Sequence, residues 1–274
     1  MLSHRRLAGV LGWPLRTTLS PTIHESAFEA SGIPCAYLPL RVPPEALGEA
    51  VAGLKAFDAL GANVTMPHKE AVIAHLDDVT GDAELTGAVN TIEFTAGRAI
   101  GHNTDVEGFR RLLEEDAGLE VRGRSALILG AGGAARAVVH VLGALGAVDM
   151  KVAARDLDRA SAVAGLAEGV EVLQWDLAED ATRTSEFVIN CTPLGMSGED
   201  ALPGATFSAG QVVIDLIYSP PRTVLLERAR AGGAEAWGGL GMLVNQAAAS
   251  FRIWTGQEPP VEVMSAAALR ALAH

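Results

Sequence analysis

The chain has 274 residues, 49% of them hydrophobic, which is enough for one large or two ordinary domains with substantial cores. Its net charge of −12 and the lack of a long basic run exclude nucleic acid and anionic membranes as partners. No uninterrupted apolar run approaches the roughly 20 residues of a membrane span. The two cysteines, Cys35 and Cys191, lack metal-ligand spacing, which predicts no metal site and favours a reducing cytoplasm.

Alternating apolar and polar segments in the first part of the chain predict an α/β domain. The pair Ser20-Pro21 is typical of a helix start, with Ser20 as N-cap and Pro21 as the first helical residue. Ala96-Gly97 separates two strand patterns and predicts a hairpin turn. The expected strands are 7–13, 36–42, 61–66, 88–94 and 98–102, and the expected helices are 20–31, 45–57, 68–76 and 105–117.

A glycine-rich turn follows, between the apolar run 126–129 and a helical pattern at 134–145. Gly130, Gly132 and Ala135 have the spacing G-x-G-x-x-A of a dinucleotide-binding turn. Gly130 permits the tight turn, Gly132 lets the backbone approach a pyrophosphate, and the helix N-terminus offers free N–H groups to the phosphates. Glycines also serve simple turns, but the flanking strand and helix favour a dinucleotide site.

The alternation of strands and helices continues after the glycine turn and predicts a parallel sheet covered on both faces. Two helices, 240–255 and 261–272, close the chain. The other expected strands are 150–154, 170–174, 187–191, 212–217 and 234–237, with helices at 158–166 and 222–231. The fold class is therefore α/β, with a separate α/β domain ahead of the nucleotide unit. Reactive residues are expected where the first domain faces the ligand crevice.

Polar residues interrupt the apolar patterns of the first domain at strand ends and helix starts. The segment 63–69 crowds polar side chains at a strand end, and Lys69 in the first turn of the expected helix opposes the helix dipole. Asn90 lies within an apolar strand pattern, and Asp105 lies at a helix start. Each also has a purely structural interpretation, namely a solvated lysine, a turn or bulge asparagine, and an N-cap at Thr104 or Asp105.

Two further features could bind anionic groups. Thr18 and Ser20 offer hydroxyls at a helix start, where they could hold a carboxylate or only cap the helix. Arg155 follows the second strand of the nucleotide unit, where an acidic residue usually binds NAD and an arginine can bind the 2′-phosphate of NADP. Arg159 could join it, whereas Asp156 could pair with the arginines or favour NAD. All three could also form a solvated surface cluster.

In chain order these pieces resemble the shikimate dehydrogenase family over nearly the whole chain. Eight ordered motifs carry the resemblance, which makes it far more specific than the glycine turn alone. They are Gly12-Trp-Pro14 with Ser20-Pro21-Thr-Ile-His24, Asn63-Val-Thr-Met-Pro-His-Lys69, Gly87-Ala-Val-Asn-Thr91, Asn103-Thr-Asp105-Val-Glu-Gly108, Gly130-Ala-Gly-Gly-Ala134, Asn190-Cys-Thr-Pro-Leu-Gly-Met196, Asp215-Leu-Ile-Tyr218-Ser-Pro220 and Gly239-Leu-Gly-Met-Leu-Val-Asn-Gln246.

The resemblance implies an oxidoreductase that reversibly reduces 3-dehydroshikimate to shikimate with NADPH, in aromatic amino-acid biosynthesis. Lys69 is then the acid/base at the reacting oxygen, and Asp105 is its partner. The implied substrate-binding residues are Thr18, Ser20 and Tyr218 for the carboxylate, and Thr65, Asn90 and Gln246 for the hydroxyls. The implied cofactor-binding residues are Gly130, Gly132, Gly133, Ala134, Ala154, Arg155, Arg159, Leu216 and Gly239, of which the last two approach the nicotinamide.

The resemblance also implies how the chain is divided. Residues 1–105 and 241–274 form the substrate domain, and a Rossmann-type NADP domain, 106–240, is inserted between them. The C-terminal helices thus return to the substrate domain and bring Gln246 with them. We expect a cytoplasmic enzyme that acts on a small molecule as a monomer or homodimer.

Two departures from the family keep alternatives open. The segment 17–20 is Thr-Thr-Leu-Ser where the family usually has His-Ser-x-Ser, so the extra methyl of Thr18 affects affinity or substrate choice. Asp156 replaces the threonine of an Asn-Arg-Thr motif and weakens the preference for NADP over NAD. One rival is therefore a quinate/shikimate dehydrogenase that also uses NAD. The other is a non-catalytic NADP-binding regulator of this fold, against which Lys69 and Asp105 argue.

Overall fold

The structure is a computed structural model that describes residues 5–15 and 18–273. Contacts within the chain divide it into two compact units. The first comprises Met1–Gly108 and Val244–His274, and the second comprises Phe109–Leu243. Among the described residues, no helix is both long enough and apolar enough to cross a bilayer.

Twelve strands and ten α-helices are described. The strands are β1 Arg6–Gly12, β2 Cys35–Arg41, β3 Gly61–Val64, β4 Asp78–Val79, β5 Thr91–Thr95, β6 Arg98–His102, β7 Ser125–Leu129, β8 Val148–Ala154, β9 Glu171–Gln174, β10 Phe187–Asn190, β11 Val212–Asp215 and β12 Glu235–Gly238. The helices are α1 Ser20–Ala30, α2 Leu47–Ala56, α3 Gly81–Thr86, α4 Thr104–Arg111, α5 Gly133–Ala144, α6 Leu157–Ala164, α7 Ala178–Ala181, α8 Val224–Ala231, α9 Leu240–Thr255 and α10 Val261–Leu272.

The first unit is built on a mixed six-stranded sheet in the order β2-β1-β3-β5-β6-β4. Strands β2, β1 and β3 run parallel, whereas β5 is antiparallel to both β3 and β6. On one face, the apolar side of α2 contributes Leu47, Val51 and Leu54 to a core that also contains Leu11 and Val64. Burial of such aliphatic side chains is the main stabilising contribution to this unit.

The second unit is built on a six-stranded sheet in the order β12-β11-β10-β7-β8-β9, with every neighbouring pair parallel. Numbered from β7, this is the strand order 6-5-4-1-2-3 of the Rossmann fold. The order reverses between β7 and β10, so the point where ligands bind in such sheets lies beyond the carboxyl ends of these two strands. The expectation of an α/β fold with a Rossmann-type parallel sheet is confirmed.

The expected helix at 68–76 is wrong. The chain forms turns after Met66 and then only a short 3₁₀ helix, Ala71–His75. Lys69 therefore does not lie in the first turn of an α-helix, and the argument that it opposes a helix dipole no longer applies. The backbone instead closes a tight loop, in which the His68 N–H donates to the Thr65 carbonyl at 2.9 Å.

Smaller differences concern helix starts. The first α-helix begins at Ser20 with Leu19 as N-cap, one residue earlier than expected, which is within the usual ambiguity of helix ends. The Asn103 side chain, rather than Thr104 or Asp105, accepts from the helix start, because its Oδ1 lies 3.2 Å from the Asp105 N–H. Residues 81–86 form α3, where no element was expected, and 112–116 continue α4 as a π-helical turn.

Candidate active site

Three chain segments meet at one edge of the first unit's sheet. The loop after β3 carries Lys69, whose carbonyl accepts the Val89 N–H at 2.8 Å. Asn90 directly precedes β5, and its backbone is fixed on both sides, because its carbonyl accepts from Val64 and its N–H donates to His102. Strand β6 ends at His102, and α4 begins two residues later. The pairing of β3, β5 and β6 therefore brings together side chains that are distant in sequence.

Lys69 and Asp105 form a shielded ion pair. The Lys69 Nζ donates to Asp105 Oδ2, and the two side chains are only 16% and 7% exposed, respectively. Asp105 is the second residue of α4, where the partial positive charge of a helix N-terminus favours a carboxylate. Among the described residues, Lys69 Nζ has no other hydrogen-bond partner. Two of its N–H groups thus remain available for a ligand.

Asn90 lies at the centre of this site and is buried. Its Oδ1 accepts the backbone N–H of Thr104 at 2.7 Å, which fixes the orientation of the amide. Its Nδ2 consequently points to Asp105 Oδ1 at 2.8 Å and to Gln246 Oε1 at 3.3 Å. The structure therefore joins four of the residues expected from the sequence, Lys69, Asp105, Asn90 and Gln246, in one hydrogen-bonded group. Asn90 is more than a turn residue.

A second set of buried polar side chains lies behind Asn90 and was not expected as part of the site. Thr91 and Thr104 contribute hydroxyls, Ser250 contributes a third from α9, and Asn63 donates from Nδ2 to Thr91 at 3.1 Å and to Ser250 at 3.0 Å. Sequence patterns contain one signal for them, because Asn63 and Ser250 interrupt otherwise apolar buried segments. Nothing in those patterns indicates that residues 63 and 250 meet.

The expected carboxylate-binding hydroxyls lie near the start of α1. Thr18 Oγ1 accepts the Ser20 N–H and donates to Ser20 Oγ, both at 3.2 Å. Thr65 follows β3, and its methyl group packs on Gly12, because a Cβ on Gly12 would lie 2.6 Å from it. The hydrogen bonds of the described residues do not join this group to Lys69. Thr17 of the sequence motif lies outside the described residues.

The glycine turn of the second unit connects β7 to α5. Gly130 has φ +96°, and a Cβ there would lie 2.8 Å from the Thr192 methyl group, so both conformation and space require glycine. A Cβ on Gly132 would meet no atom within 4 Å. This open space lies directly before Gly133 and Ala134, which begin α5, and Ala135 is buried against the strand. A pyrophosphate therefore fits the turn, with the helix N-terminus supplying donors.

The basic residues after β8 are exposed. Ala154 is the buried last residue of that strand, and Arg155, Asp156 and Arg159 follow it on the surface. Asp156 is the N-cap of α6, and its Oδ1 accepts the Arg159 N–H at 3.0 Å. Arg155 forms no ion pair among the described residues, so its guanidinium is available to a phosphate. Asp156 thus has a structural role that its charge alone does not reveal.

Asp215 holds together the end of β10 and the loop after β11, which lie beside the glycine turn. The carboxylate accepts from the Thr223 hydroxyl at 2.6 Å, from Asn190 Nδ2 at 3.0 Å and from the Ile217 N–H at 3.2 Å. Burial raises the pKa of Asp215, and these three donors offset part of that rise. Residues that follow Asp215 are therefore held rigidly at the carboxyl end of β11.

Leu216, Tyr218 and Gly239 lie in this part of the second unit. The Leu216 N–H donates to the Asn190 carbonyl at 3.0 Å, and Gly239 is in such close contact with the Leu216 carbonyl that a Cβ could not be accommodated. Leu216 and Gly239 thus lie side by side beyond β11 and β12. Tyr218 is half-buried two residues further on.

The strand order and the glycine turn place the chain in the class of dinucleotide-binding proteins of Rossmann type. Matches to models of protein families define the class of this chain more narrowly. The shikimate dehydrogenase substrate binding domain matches residues 10–92, shikimate/quinate 5-dehydrogenase matches 111–196, and the shikimate 5′-dehydrogenase C-terminal domain matches 239–269. The chain belongs to the shikimate dehydrogenase family, as the sequence motifs predicted.

Individual relatives are similar to this chain over nearly their full lengths. The shikimate dehydrogenase (NADP(+)) of Methanopyrus kandleri is 45% identical over 97% of this chain and 96% of its own. The protein of the same name from Salinibacter ruber is 47% identical over 93% and 94%.

Solved structures of similar proteins include ligand complexes. A shikimate dehydrogenase in complex with NADP+ has a TM-score of 0.89 at 39% identity, covering 98% of this chain and 96% of its own. The Thermus thermophilus shikimate 5-dehydrogenase in complex with NADP(H) and shikimate has a TM-score of 0.83 at 35% identity, covering 97% and 100%. The quinate dehydrogenase of Corynebacterium glutamicum in complex with NAD has a TM-score of 0.86 at 32% identity, covering 97% and 99%.

Proposed function

We propose that this chain is an NADP-dependent shikimate dehydrogenase, which reversibly reduces 3-dehydroshikimate to shikimate in the cytoplasm. The observation that carries the proposal is the shielded Lys69–Asp105 pair with Asn90 and Gln246 around it. Family membership supports the substrate, because the curated relatives bear the name of this activity.

Lys69 is the proton donor and acceptor of the reaction. When the substrate carbonyl is reduced, its oxygen gains negative charge, and a Lys69 N–H directed at that oxygen supplies a proton. In the reverse direction the amine accepts the hydroxyl proton. Asp105 holds Nζ in place through Oδ2, and Asn90 holds the opposite carboxylate oxygen, so the lysine remains in one position during proton transfer.

Other side chains of the first unit orient the substrate ring. The amides of Asn90 and Gln246 and the hydroxyl of Thr65 bind the ring hydroxyls, and Thr18 and Ser20 bind the carboxylate. Ser20 begins α1, whose N-terminus favours an anion in an otherwise acidic protein. The resemblance assigns a third hydroxyl for the carboxylate to Tyr218, which belongs to the second unit.

The second unit holds NADP, which supplies the hydride when bound. The backbone at Gly130, Gly132, Gly133 and Ala134 accommodates the pyrophosphate. Ala154, Arg155 and Arg159 contact the adenosine end, with the two arginines on the 2′-phosphate. Leu216 and Gly239 form a rigid surface for the nicotinamide.

A quinate/shikimate dehydrogenase that also uses NAD is the second candidate. The room near Thr18 decides between the two substrates, because quinate carries one more hydroxyl and a tetrahedral carboxyl-bearing carbon. Asp156 favours the use of NAD, because its charge lies beside the arginines. One similar solved structure is a quinate dehydrogenase in complex with NAD, so quinate and NAD+ are the specific alternatives to test.

Steady-state kinetics with shikimate and quinate, each with NADP+ and NAD+, tests the proposal. We expect the highest kcat/KM for shikimate with NADP+, and Arg155→Ala should raise KM for NADP+ without changing that for NAD+. Comparable activity with quinate supports the second candidate. No oxidation of shikimate with either cofactor, by protein that binds NADP+, contradicts both.

A further inference from the structure

We propose that a buried triangle of hydroxyls, Thr91, Thr104 and Ser250, positions Asp105 for proton transfer at Lys69. This inference rests on the proposed function. The three oxygens lie within hydrogen-bond distance of one another, at 2.8 Å between Thr91 and Ser250 and 3.1 Å for each other pair. All three side chains are at most 4% exposed, so bulk water does not compete for these bonds.

On the side of the hydroxyl triangle that faces Asn63, the donors and acceptors of the hydrogen bonds are fixed. The Tyr37 hydroxyl donates to Asn63 Oδ1 at 2.7 Å, which requires the Asn63 amide to direct Nδ2 the other way. That Nδ2 donates to Thr91 and Ser250. Because both hydroxyls accept from Asn63, the Thr91 proton is free for a further acceptor, whereas the Ser250 hydroxyl donates to the Gln246 carbonyl at 3.0 Å.

On the side away from Asn63, the hydroxyl triangle contacts Asn90 through Thr91 and Thr104. Thr91 donates to Asn90 Oδ1 at 3.0 Å, and the Thr104 hydroxyl lies 3.1 Å from the same oxygen. Together with the backbone N–H of Thr104, these donors hold the Asn90 amide so that Nδ2 faces Asp105 Oδ1. Asp105 is then held with Oδ2 towards Lys69. A directional chain of hydrogen bonds therefore leads from Tyr37 to the acid/base pair.

This chain orients groups and does not conduct protons to water. Its outer end, Tyr37, is 1% exposed and stacks on the His24 ring, with centroids 4.5 Å apart. His24 is completely buried, and neither of its ring nitrogens has a hydrogen-bond partner in the described part of the chain. The carboxamides of Asn63 and Asn90 also interrupt this chain, because a neutral amide does not pass a proton on. Thr91 and Ser250 are therefore positioning residues.

Thr91 offers the cleanest test, because two substitutions separate its hydroxyl from its bulk. Thr91→Val removes the hydroxyl and keeps the shape, whereas Thr91→Ser keeps the hydroxyl. We expect Thr91→Val to lower kcat for shikimate by about 10- to 100-fold, as misplacement of a catalytic group does, with KM changed less than about twofold. Thr91→Ser should restore most of kcat. Ser250→Ala should give a smaller loss, because Ser250 contacts Thr91 and Thr104 but donates to the Gln246 carbonyl and not to Asn90.

Thr255→Val is the matched control, because Thr255 lies on α9, the helix that carries Ser250. The Thr255 hydroxyl donates only to the Phe251 carbonyl and accepts from the Gln257 N–H, away from the site. We expect wild-type kinetics. Equal kcat in wild type, Thr91→Val and Ser250→Ala would overturn the proposal. Equal losses in Thr91→Val and Thr91→Ser, with KM raised in both, would also overturn it, because bulk and not the hydroxyl would then matter.

A readout without turnover separates this inference from the proposed function. The chain has three lysines, so acetylation of Lys69 can be followed by mass spectrometry with Lys55 and Lys151 as internal references. In Thr91→Val, Lys69 should react faster relative to those references, because Asp105 no longer holds its amine. An unchanged ratio contradicts the positioning role. If wild type does not oxidise shikimate, the proposed function fails, but this measurement still decides the inference.

Discussion

The two halves of the proposed site are built in different ways. In the first unit, buried side chains hold one another, and Asn90, for example, bonds to side chains of both α4 and α9. In the second unit, the backbone conformation of a glycine turn and a few exposed charges define the nucleotide site. The substrate half therefore depends on mutual orientation of many groups, whereas the nucleotide half depends on space and local chain geometry.

Removal of Lys69 should have the largest effect. Lys69→Ala should lower turnover of shikimate by about 10²- to 10⁴-fold, because the reacting oxygen loses its proton donor. NADP+ affinity, measured by fluorescence titration, should stay at the wild-type value, since the nucleotide site uses other residues. Lys55→Ala is the control, because Lys55 pairs with Asp77 at the surface. A near wild-type rate for Lys69→Ala would remove the acid/base assignment.

Substitutions of the two glycines in the turn should separate an effect on stability from an effect on NADP+ binding. Gly130→Ala should lower the free energy of unfolding by about 1–3 kcal/mol, because its φ of +96° is strained for alanine. Gly132→Ala should leave stability unchanged, since a Cβ there meets nothing, yet it should weaken NADP+ binding about tenfold or more by filling the pyrophosphate space. Denaturation and titration measure both. Unchanged affinity in Gly132→Ala would contradict the nucleotide site.

His24 should make the stability of the first unit depend on pH. Burial lowers its pKa to about 3 from 6.5. The unfolded chain binds a proton below pH 6.5 that the folded chain does not, so His24 reduces stability as the pH falls from 6.5 towards 3. The slope should reach about 1.4 kcal/mol per pH unit.

The matched pair for that measurement is His24→Leu and the exposed His75→Leu. Urea denaturation at pH 7, 6, 5 and 4 should show a shallower loss of stability in His24→Leu than in wild type. His75→Leu should follow the wild-type curve. Identical slopes in all three proteins would mean that His24 is not held neutral.

The smallest effect should come from Asp156. Asp156→Asn keeps an N-cap of similar strength and removes a negative charge beside Arg155 and Arg159. NADP+ affinity should rise about two- to fivefold, since exposed charges interact weakly. Asp158→Asn removes the same charge from the first turn of that helix, and a smaller rise is expected there. No difference between the two variants would show that Asp156 acts through net charge alone.

The contrast between the two halves also explains what the sequence predicts well. The strand–turn–helix at Gly130 is a local pattern, and its structure follows the predicted boundaries within a residue or two. Helices α9 and α10 begin and end as predicted. Local spacing is sufficient in these cases, because the signal and the structure occupy the same short segment.

The substrate half was harder to predict for a physical reason. Lys69 was expected in a helix, but the loop that carries it is fixed by long-range bonds, such as that from His68 Nε2 to the Val42 carbonyl at 2.7 Å. Asn63 and Ser250 were not expected in the site, because they meet only after β3 and α9 pack together. Motif resemblance grouped Lys69, Asp105, Asn90 and Gln246 in one expected site, and the structure joins them by hydrogen bonds. Spacing alone left structural alternatives open for Lys69, Asn90 and Asp105.

Helix α9 runs without interruption across the boundary between the two units at Leu243 and Val244. Gln246 and Ser250 follow the whole of the second unit in chain order, although they bond to side chains of the first unit. The ribosome therefore synthesises the entire second unit before the polar cluster around Asn90 can be completed.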